Sequence, residues 1–363
     1  MSQPGACDHC LRRAWVVAGL SARIERAMAG SPRRRAGELL ALGEEELRRI
    51  LPPAEASVPP SPARMRAALV GADVWACCRH DDGYPEQLRD LGKQTPASLF
   101  GRGDPTHLRR LDRRSCVTVV GSRRPSAYGR DTAALLGREL AAAGLAVISG
   151  MALGIDSCAH RGALEAGLTV AVLGGGSDAP SPARMRRLYA ELVARGMVVS
   201  ELPPGVSPRR WTFPARNRIM AGLGALVVVV EGRLRSGSLI TAELAEQLGR
   251  DVGAVPGRVR TSAAAGPNQL LRDGAQVIRS GQDVLDSLLG PGTMVGGSSA
   301  PGGDLEPELA VVLELVEGGA TTLDSVSREG GISAAAAGGA LARLELLGRI
   351  RSDPGGRYRS TAD

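Results

Sequence analysis

The sequence predicts an α/β protein whose doubly wound, mostly parallel sheet lies between an N-terminal helical domain and a C-terminal winged-helix domain. Three observations predict it. Between Cys116 and Leu289, short β-branched runs alternate with longer amphipathic stretches, the pattern of strands buried on both faces and separated by covering helices. Upstream, apolar residues recur at helical spacing in an Arg-rich background. Downstream, residues 304–363 read as a helix, a helix-turn-helix and a short hairpin. The central pattern is Rossmann-like.

Taken in order, residues 1–110 form a helical, SAM-like domain and linker, with periodic segments at Leu11–Met28 and Arg34–Leu51 broken by the Pro-rich stretch Pro52–Pro62. Residues 111–289 form the sheet domain. Its strands are Cys116–Val120, Leu145–Ser149, Thr169–Leu173, Met197–Ser200, Ala225–Glu231 and Val252–Val255. Residues 290–303 (GPGTMVGGSSAPGG) have the composition of a flexible linker. In residues 304–363, Leu305–Val316 is helical, Leu323–Arg328 and Ser333–Leu347 form the helix-turn-helix, and Arg349–Arg359 turns at Pro354-Gly355-Gly356. The candidate recognition helix is Ala/Gly-rich with Arg343 as its one base, so a structural or protein-contact role fits it better than base reading.

Composition narrows the function classes. Six cysteines spread over 363 residues are no disulfide scaffold. The N-terminus has neither a basic n-region nor an apolar h-region, and the apolar run Ala225–Val230 is too short to span a bilayer. The expected location is therefore the cytoplasm, with no membrane partner. Net charge is +7, carried almost wholly by arginine, since Lys93 is the only lysine. Residues 304–363 hold ten acidic and six basic residues, net −4, which leaves +11 on residues 1–303. A polyanion is drawn to the larger part.

The loops after the strands carry the chemistry, because ligands of doubly wound sheets sit at the carboxyl ends of strands. The first strand runs into Gly121-Ser122-Arg123 before a helix, which reads as a phosphate cradle: a close backbone approach, helix N–H groups and a guanidinium fork. The second runs into Gly150 and Gly154, with Asp156 placed to cap or organise the loop. The fifth is followed by Arg233, Arg235, Ser236, Gly237 and Ser238, and Arg216-Asn217-Arg218 approaches the same edge. Neither a dinucleotide fingerprint nor a Walker loop is present. A single nucleotide needs one cradle, whereas several in a row suit successive phosphates of a strand. Aromatic residues are scarce, so stacking candidates reduce to Tyr128, Tyr189, Trp211 and Phe213, with Trp211 and Phe213 read equally well as core.

These segments resemble the DNA-processing protein A family (DprA/Smf). The matching runs are VVGSRRPS (119–126), SGMALGIDSCAH (149–160), VLGGGSD (172–178), FPARNRIMAGL (213–223), VVEGRLRSGSLITA (229–242) and GRDVGAVPG (249–257), in order across residues 116–289. The resemblance implies a homodimeric protein without catalytic activity. It binds and protects single-stranded DNA during natural transformation and helps load a RecA-type recombinase. The family's contacts map onto Gly121, Ser122 and Arg123, and onto the Arg216-Asn217 and Ser236–Ser238 regions. Two departures stand out: Leu153 replaces a basic residue, and Ala183 replaces a phosphate contact that neighbouring Arg184 is able to supply.

Three other readings compete. A nucleotide hydrolase needs a carboxylate or a base in the pocket, and Asp156, His160, Asp178, Glu201 and Glu231 are the candidates, with Asp156 and His160 on one helix face. A recombinase adaptor that does not touch DNA fits the charge distribution poorly. For metals, Cys7-Asp8-His9-Cys10 is half a zinc motif that Cys78 and His80 would complete, but the second pair lacks the standard spacing. The expectation is therefore no cofactor and no metal.

Overall fold

The structure, a computed structural model, describes residues 5–29, 35–51, 59–290, 306–347, 349–353 and 356–360. By contacts it divides into two compact units, residues 1–297 and 298–363.

The first unit is organised by nine strands. Six are those the sequence predicts: β3 (Cys116–Val120), β4 (Ala146–Ser149), β5 (Thr169–Val172), β6 (Met197–Ser200), β7 (Leu226–Val229) and β8 (Asp251–Ala254). The other three are β1 (Trp75–Cys78), β2 (Ser98–Gly103) and the two-residue β9 (Gln276–Val277). Their order is β1-β2-β6-β5-β4-β3-β7-β8-β9, parallel from β6 to β9, with β2 antiparallel to both β1 and β6. The sheet thus begins well before residue 111, the boundary expected from sequence. Trp-Ala-Cys-Cys and Ser-Leu-Phe-Gly-Arg-Gly have no β-branched residue and no clean alternation, so period and propensity give them little signal.

Alternation explains the two-sided core. In β3, Cys116 and Val120 join the cluster on one face while Val117 and Val119 join the other. The first face is covered by α9 (Thr212–Leu223) and α10 (Gly237–Gln247), through Ile219, Leu223, Ala242 and Ala245. The second is covered by α6 (Ala127–Ala142) and α7 (Ile155–Ala166), through Leu136, Leu140, Ile155 and Ala159. Burying each such valine or leucine is worth about 1.5–3 kcal/mol. The chain runs β3 to β6 outward and then returns to place β7 against the other edge of β3. That reversal opens a crevice beyond the carboxyl ends of β3 and β7.

The predicted N-terminal helices are each split in two. Leu11–Met28 becomes α1 (Asp8–Gly19) and α2 (Ser21–Met28), and the second segment becomes α3 (Arg35–Ala41) and α4 (Glu44–Ile50). Val17, Leu20, Ile24 and Leu47 pack against Leu202, Trp211 and Ala215 of the sheet domain, so these helices share its core. Of the Pro-rich stretch, residues 52–58 lie outside the described residues. Its end starts α5 (Pro62–Gly71), with Ser61 Oγ accepting from Arg64 N and Pro62 in the first turn, where its missing N–H costs nothing. No helix among the described residues is long and apolar enough to cross a membrane.

The second unit has the predicted helices α13 (Pro307–Glu317), α14 (Leu323–Gly330) and α15 (Ala334–Leu346), then the antiparallel pair β10 (Ile350–Ser352) and β11 (Tyr358–Ser360). Thr322 caps α14 in a capping box with Ser325, and Ser333 Oγ caps α15. Leu309, Val312, Val326, Leu341, Leu344 and Ile350 fill its own core. The predicted linker falls almost wholly, and the turn residues Pro354 and Gly355 entirely, outside the described residues.

Candidate nucleic-acid interface

The crevice between β3 and β7 widens into a cavity of about 910 Å³. Its wall includes Gly121, Ser122 and Arg123 after β3, Arg216 and Asn217 on α9, and Arg233, Arg235, Ser236, Gly237 and Ser238 after β7. Eight of the twelve site residues expected from sequence therefore meet in one place: Gly121, Ser122, Arg123, Arg216, Asn217, Ser236, Gly237 and Ser238. Five arginines (Arg123, Arg210, Arg216, Arg233, Arg235) face two carboxylates (Glu25, Asp156) around the cavity, which leaves it positive.

The N-termini of α9 and α10 both reach this cavity, and α10 brings Ser236, Gly237 and Ser238 to it. Its N-cap Ser236 makes no side-chain cap, and Ser236 Oγ lies 2.7 Å from Ser238 Oγ, so the first-turn amides are left to a ligand or solvent. The α6 terminus, which the sequence reading treats as a phosphate cradle, is already filled. Glu231 accepts from Ser126 N at 2.9 Å and Ser126 Oγ at 2.5 Å, and Ser126 Oγ accepts from Gly129 N. A buried carboxylate of the chain takes the place an incoming anion would need.

Arg123 is exposed and lies 5.4 Å from the centroid of the Phe213 ring, a cation–π contact that orients its fork toward the cavity. Arg233 and Arg235 are exposed as well, and among the described residues none of these three has an ion-pair partner. Arg216 differs. It is 7% exposed, donates to Val172 O at 2.8 Å, and leaves a buried Nε without a partner. Burial lowers its pKa, opposed by the charge of nearby Asp156. Burial likewise pushes Asp156 up, against Arg216 and the amides of Ala152 and Gly150. Asp156 therefore organises the loop after β4, with Gly150 N at 3.2 Å and Ala152 N at 3.3 Å.

The other four expected residues stand apart from the cavity wall. Gly150 makes room: a Cβ there would lie 1.5 Å from the Arg216 guanidinium. Gly154, at φ +86°, packs against Ser122 O and so holds the Arg123 loop. Arg184 is exposed in the 3₁₀ turn Ala183–Met185, beyond the set that lines this cavity. Arg218 is 2% exposed and bonded to Glu201 at 2.5 Å, so it is a structural ion pair rather than a rim donor. The physical reason is helical phase: Arg216 and Arg218, two residues apart on α9, face opposite ways. Leu153 packs beside the cluster of Met151, Leu173 and Tyr189, which accounts for an apolar residue at that position.

Sequence reasoning missed part of the wall. Arg210, Glu25 and Met28 of α2, and Ala29 just beyond it also line the cavity. Glu25 accepts from Arg209 NH1 at 2.7 Å and Arg210 N at 3.0 Å, across a sequence gap that no local pattern reveals. Of the stacking candidates, Trp211 is buried, with Nε1 donating to Ser21 O and Oγ. Tyr189 is buried too, donating to Ser177 O, and Tyr128 OH donates to Pro256 O. Trp211 and Phe213 both line the cavity, but Trp211 is buried and Phe213 only half-buried, so Phe213 is the ring open to a base.

Of the carboxylates and the histidine proposed for hydrolysis, Asp156 lines the cavity but is held by Gly150 N and Ala152 N, and the others are engaged away from it. Asp178 accepts from Gly205 N, Glu201 from Arg218, and Glu231 from Ser126. His160 is fully buried. Thr169 Oγ1 donates its proton to Val147 O, so it accepts from His160 Nδ1 at 2.7 Å, which leaves Nε2 bare and unpartnered. Burial, with Arg216 nearby, lowers the His160 pKa to about 3. A neutral imidazole bonded away from Asp156 does not make the acid–base pair that spacing suggests.

Comparison with known proteins places this geometry. The family model "DNA recombination-mediator protein A" matches residues 75–289, which begins at β1, and "DprA winged helix domain" matches residues 297–356. The chain is 41% identical over 271 residues to a putative DNA processing protein DprA of Mycobacterium tuberculosis, covering 73% of this chain and 69% of that protein. It is 38% identical over 206 residues to the DNA processing protein DprA of Bacillus subtilis, covering 56% and 68%. Among solved structures, that of DprA from Streptococcus pneumoniae superposes with a TM-score of 0.61 at 30% identity, covering 77% of this chain and 96% of that one. That of DNA processing protein A from Helicobacter pylori, described for its unique single-stranded DNA binding mode, gives 0.53 at 30% identity, covering 60% and 95%.

Proposed function

The chain belongs to the DNA recombination-mediator protein A family, and from that premise we propose that it binds single-stranded DNA at the β3/β7 cavity and acts in DNA processing during natural transformation. One observation carries the reading: three exposed arginines without acidic partners among the described residues, Arg123, Arg233 and Arg235, surround a cavity onto which the uncapped N-terminus of α10 opens. Guanidinium forks and backbone amides grip phosphate oxygens without reading sequence. Phe213, already faced by Arg123, offers one ring for a base.

On this reading the protein holds and protects its strand, catalyses no bond cleavage, and hands the strand to a RecA-type recombinase. It works as a homodimer in the cytoplasm. The separate engagement of Asp156 and His160 supports binding over turnover.

The test compares labelled single- and double-stranded oligonucleotides by fluorescence anisotropy over a salt series. Single strands should bind tighter, with little sequence preference and a steep loss of affinity as salt rises. A flat salt response, or turnover of nucleotides that vanishes in Arg123→Ala, would refute the reading.

A further inference from the structure

A second site lies at the far edge of the sheet, where α1 meets β1. Adjacent Cys77 and Cys78 point to opposite faces of β1: Cys77 joins the main core, and Cys78 joins the cluster under α1 with Cys10, Leu11 and Phe100. Cys7 stands at the N-cap of α1, Cys10 in its first turn, and His80 in the turn that follows β1. The four donor atoms, three Sγ and one imidazole nitrogen, all lie within 4.8 Å of one another. His80 Nδ1 is 3.4 Å from Cys7 Sγ and 3.4 Å from Cys10 Sγ.

Hydrogen bonding alone accounts poorly for that convergence. One ring nitrogen has either one proton or one lone pair, so it serves one thiol well and not two. A tetrahedral zinc ion with bonds of about 2.3 Å to sulfur and about 2.1 Å to nitrogen sets its donors about 3.5–3.8 Å apart, close to the two 3.4 Å distances from His80 and within the 4.8 Å that bounds the whole set. The surroundings suit thiolates as well. Cys7 N donates to Cys78 Sγ at 3.5 Å, and Asp81 accepts from Gly5 N at 2.8 Å, closing the segment before Cys7 over the cluster. None of the six cysteines is in a disulfide.

We propose that Cys7, Cys10, Cys78 and His80 bind one structural zinc ion. The unusual second pair, with a single residue between Cys78 and His80, works because the chain turns sharply as β1 ends: Asp81 N donates to Cys78 O at 2.8 Å. Four protein ligands close the coordination sphere, so the ion has no open position for catalysis. Its role is to clip α1 to the edge strand across a gap of about seventy residues, where the stabilisation comes from coupling metal binding to folding. Through α1 the clip also steadies α2, which supplies Glu25 and Met28 to the cavity wall. This inference does not depend on the DNA reading.

The test is metal and thiol analysis of the full chain, expressed with zinc and purified without chelator. One zinc per chain is expected, falling to below about 0.1 in Cys78→Ser and in Cys10→Ser and unchanged in Cys158→Ser, whose thiol lies on α7. Because losing the clip can unfold a variant, cobalt substitution of the unmutated chain gives a second measurement. It should show sulfur-to-cobalt charge transfer and the intense visible bands of a tetrahedral site. Six free thiols without stoichiometric metal, four free thiols with a Cys7–Cys10 disulfide, or cobalt bands that survive in Cys78→Ser would each overturn the proposal.

Discussion

Two regions of this molecule have architectures associated with nucleic-acid binding, and they differ in what their arginines are free to do. At the β3/β7 cavity, Arg123, Arg233 and Arg235 are exposed and have no carboxylate partner among the described residues. In the winged-helix unit, the one base of the candidate recognition helix, Arg343, donates from NH1 and NH2 to the two oxygens of Glu306 at 2.9 and 2.8 Å. The rest of α15 is alanine, glycine and leucine apart from the acidic Glu345. Topology would nominate the winged helix first. Availability of charge nominates the sheet edge, in line with the +11 and −4 division of net charge between residues 1–303 and 304–363. What an arginine can bind depends on whether an acid already holds it.

The largest expected effect sharpens that contrast. Replacing Arg123, Arg233 and Arg235 together by alanine should weaken single-strand binding on the order of 2,000-fold at low salt, since each charge-assisted phosphate contact is worth about 1.5 kcal/mol. The slope of log affinity against log salt should fall by about 2, at about 0.7 per lost single-strand contact. A thermal melt matching the parent would show that binding, not folding, was lost. If the triple variant keeps the parent's slope, the phosphates are held elsewhere and the comparison collapses.

The next effect separates the units by pH. His160 is buried and neutral with a pKa lowered to about 3, whereas residues 298–363 contain no histidine. A depressed folded-state pKa means the unfolded chain binds the proton more readily. The stability from keeping His160 neutral is complete above pH 6.5 and drains away as pH falls from there toward 3. By pH 4 the sheet unit should lose about 3–4 kcal/mol from this group. Calorimetry across that range should show the loss shrinking in His160→Leu, while the winged unit's transition is indifferent to the substitution. An unchanged pH profile in His160→Leu would mean that another group sets the acid sensitivity.

These contrasts also show what the sequence carries. The six central strands are legible because runs such as Cys-Val-Thr-Val-Val and Leu-Val-Val-Val are β-branched and buried on both faces. β1 and β2 are not, because alanine, cysteine and glycine at an antiparallel edge leave no period to read. The loops at the cavity are legible from glycines, hydroxyls and arginines in strand-to-helix turns. The filling of the α6 terminus by Glu231 is not, since its partner Ser126 lies 105 residues away. Arg218 marks an avoidable error. Once the segment is seen as helix, a spacing of two sends Arg216 and Arg218 to different faces. All four residues of the cysteine–histidine cluster are named from the sequence, but their convergence is not legible there, because the approach of β1 to α1 is a property of the folded edge.

A finer probe asks whether the shape of the cation matters at the cavity. Arg123→Lys preserves the charge but loses the planar fork and much of the contact with Phe213, worth about 0.5–1 kcal/mol. Single-strand affinity should fall about three- to fivefold with the salt slope nearly intact. Phe213→Leu should cost a similar amount and add little on top of Arg123→Lys, because both remove one shared contact. Full additivity in that cycle would mean the ring serves a base independently of Arg123.

The smallest expected effect falls on the winged-helix unit. Arg343→Ala should change single-strand affinity by less than about twofold, because the exposed guanidinium it removes is already spent on Glu306, a solvent-screened surface pair. Glu306→Gln frees the same fork without altering α15 and adds one unit of positive charge, so it should raise affinity slightly if this helix comes near the strand at all. The two substitutions thus pull in opposite directions on one hypothesis. Should Arg343→Ala weaken binding tenfold, or Glu306→Gln strengthen it by as much, the winged unit would be a second DNA contact, and a held arginine would not mean an idle one.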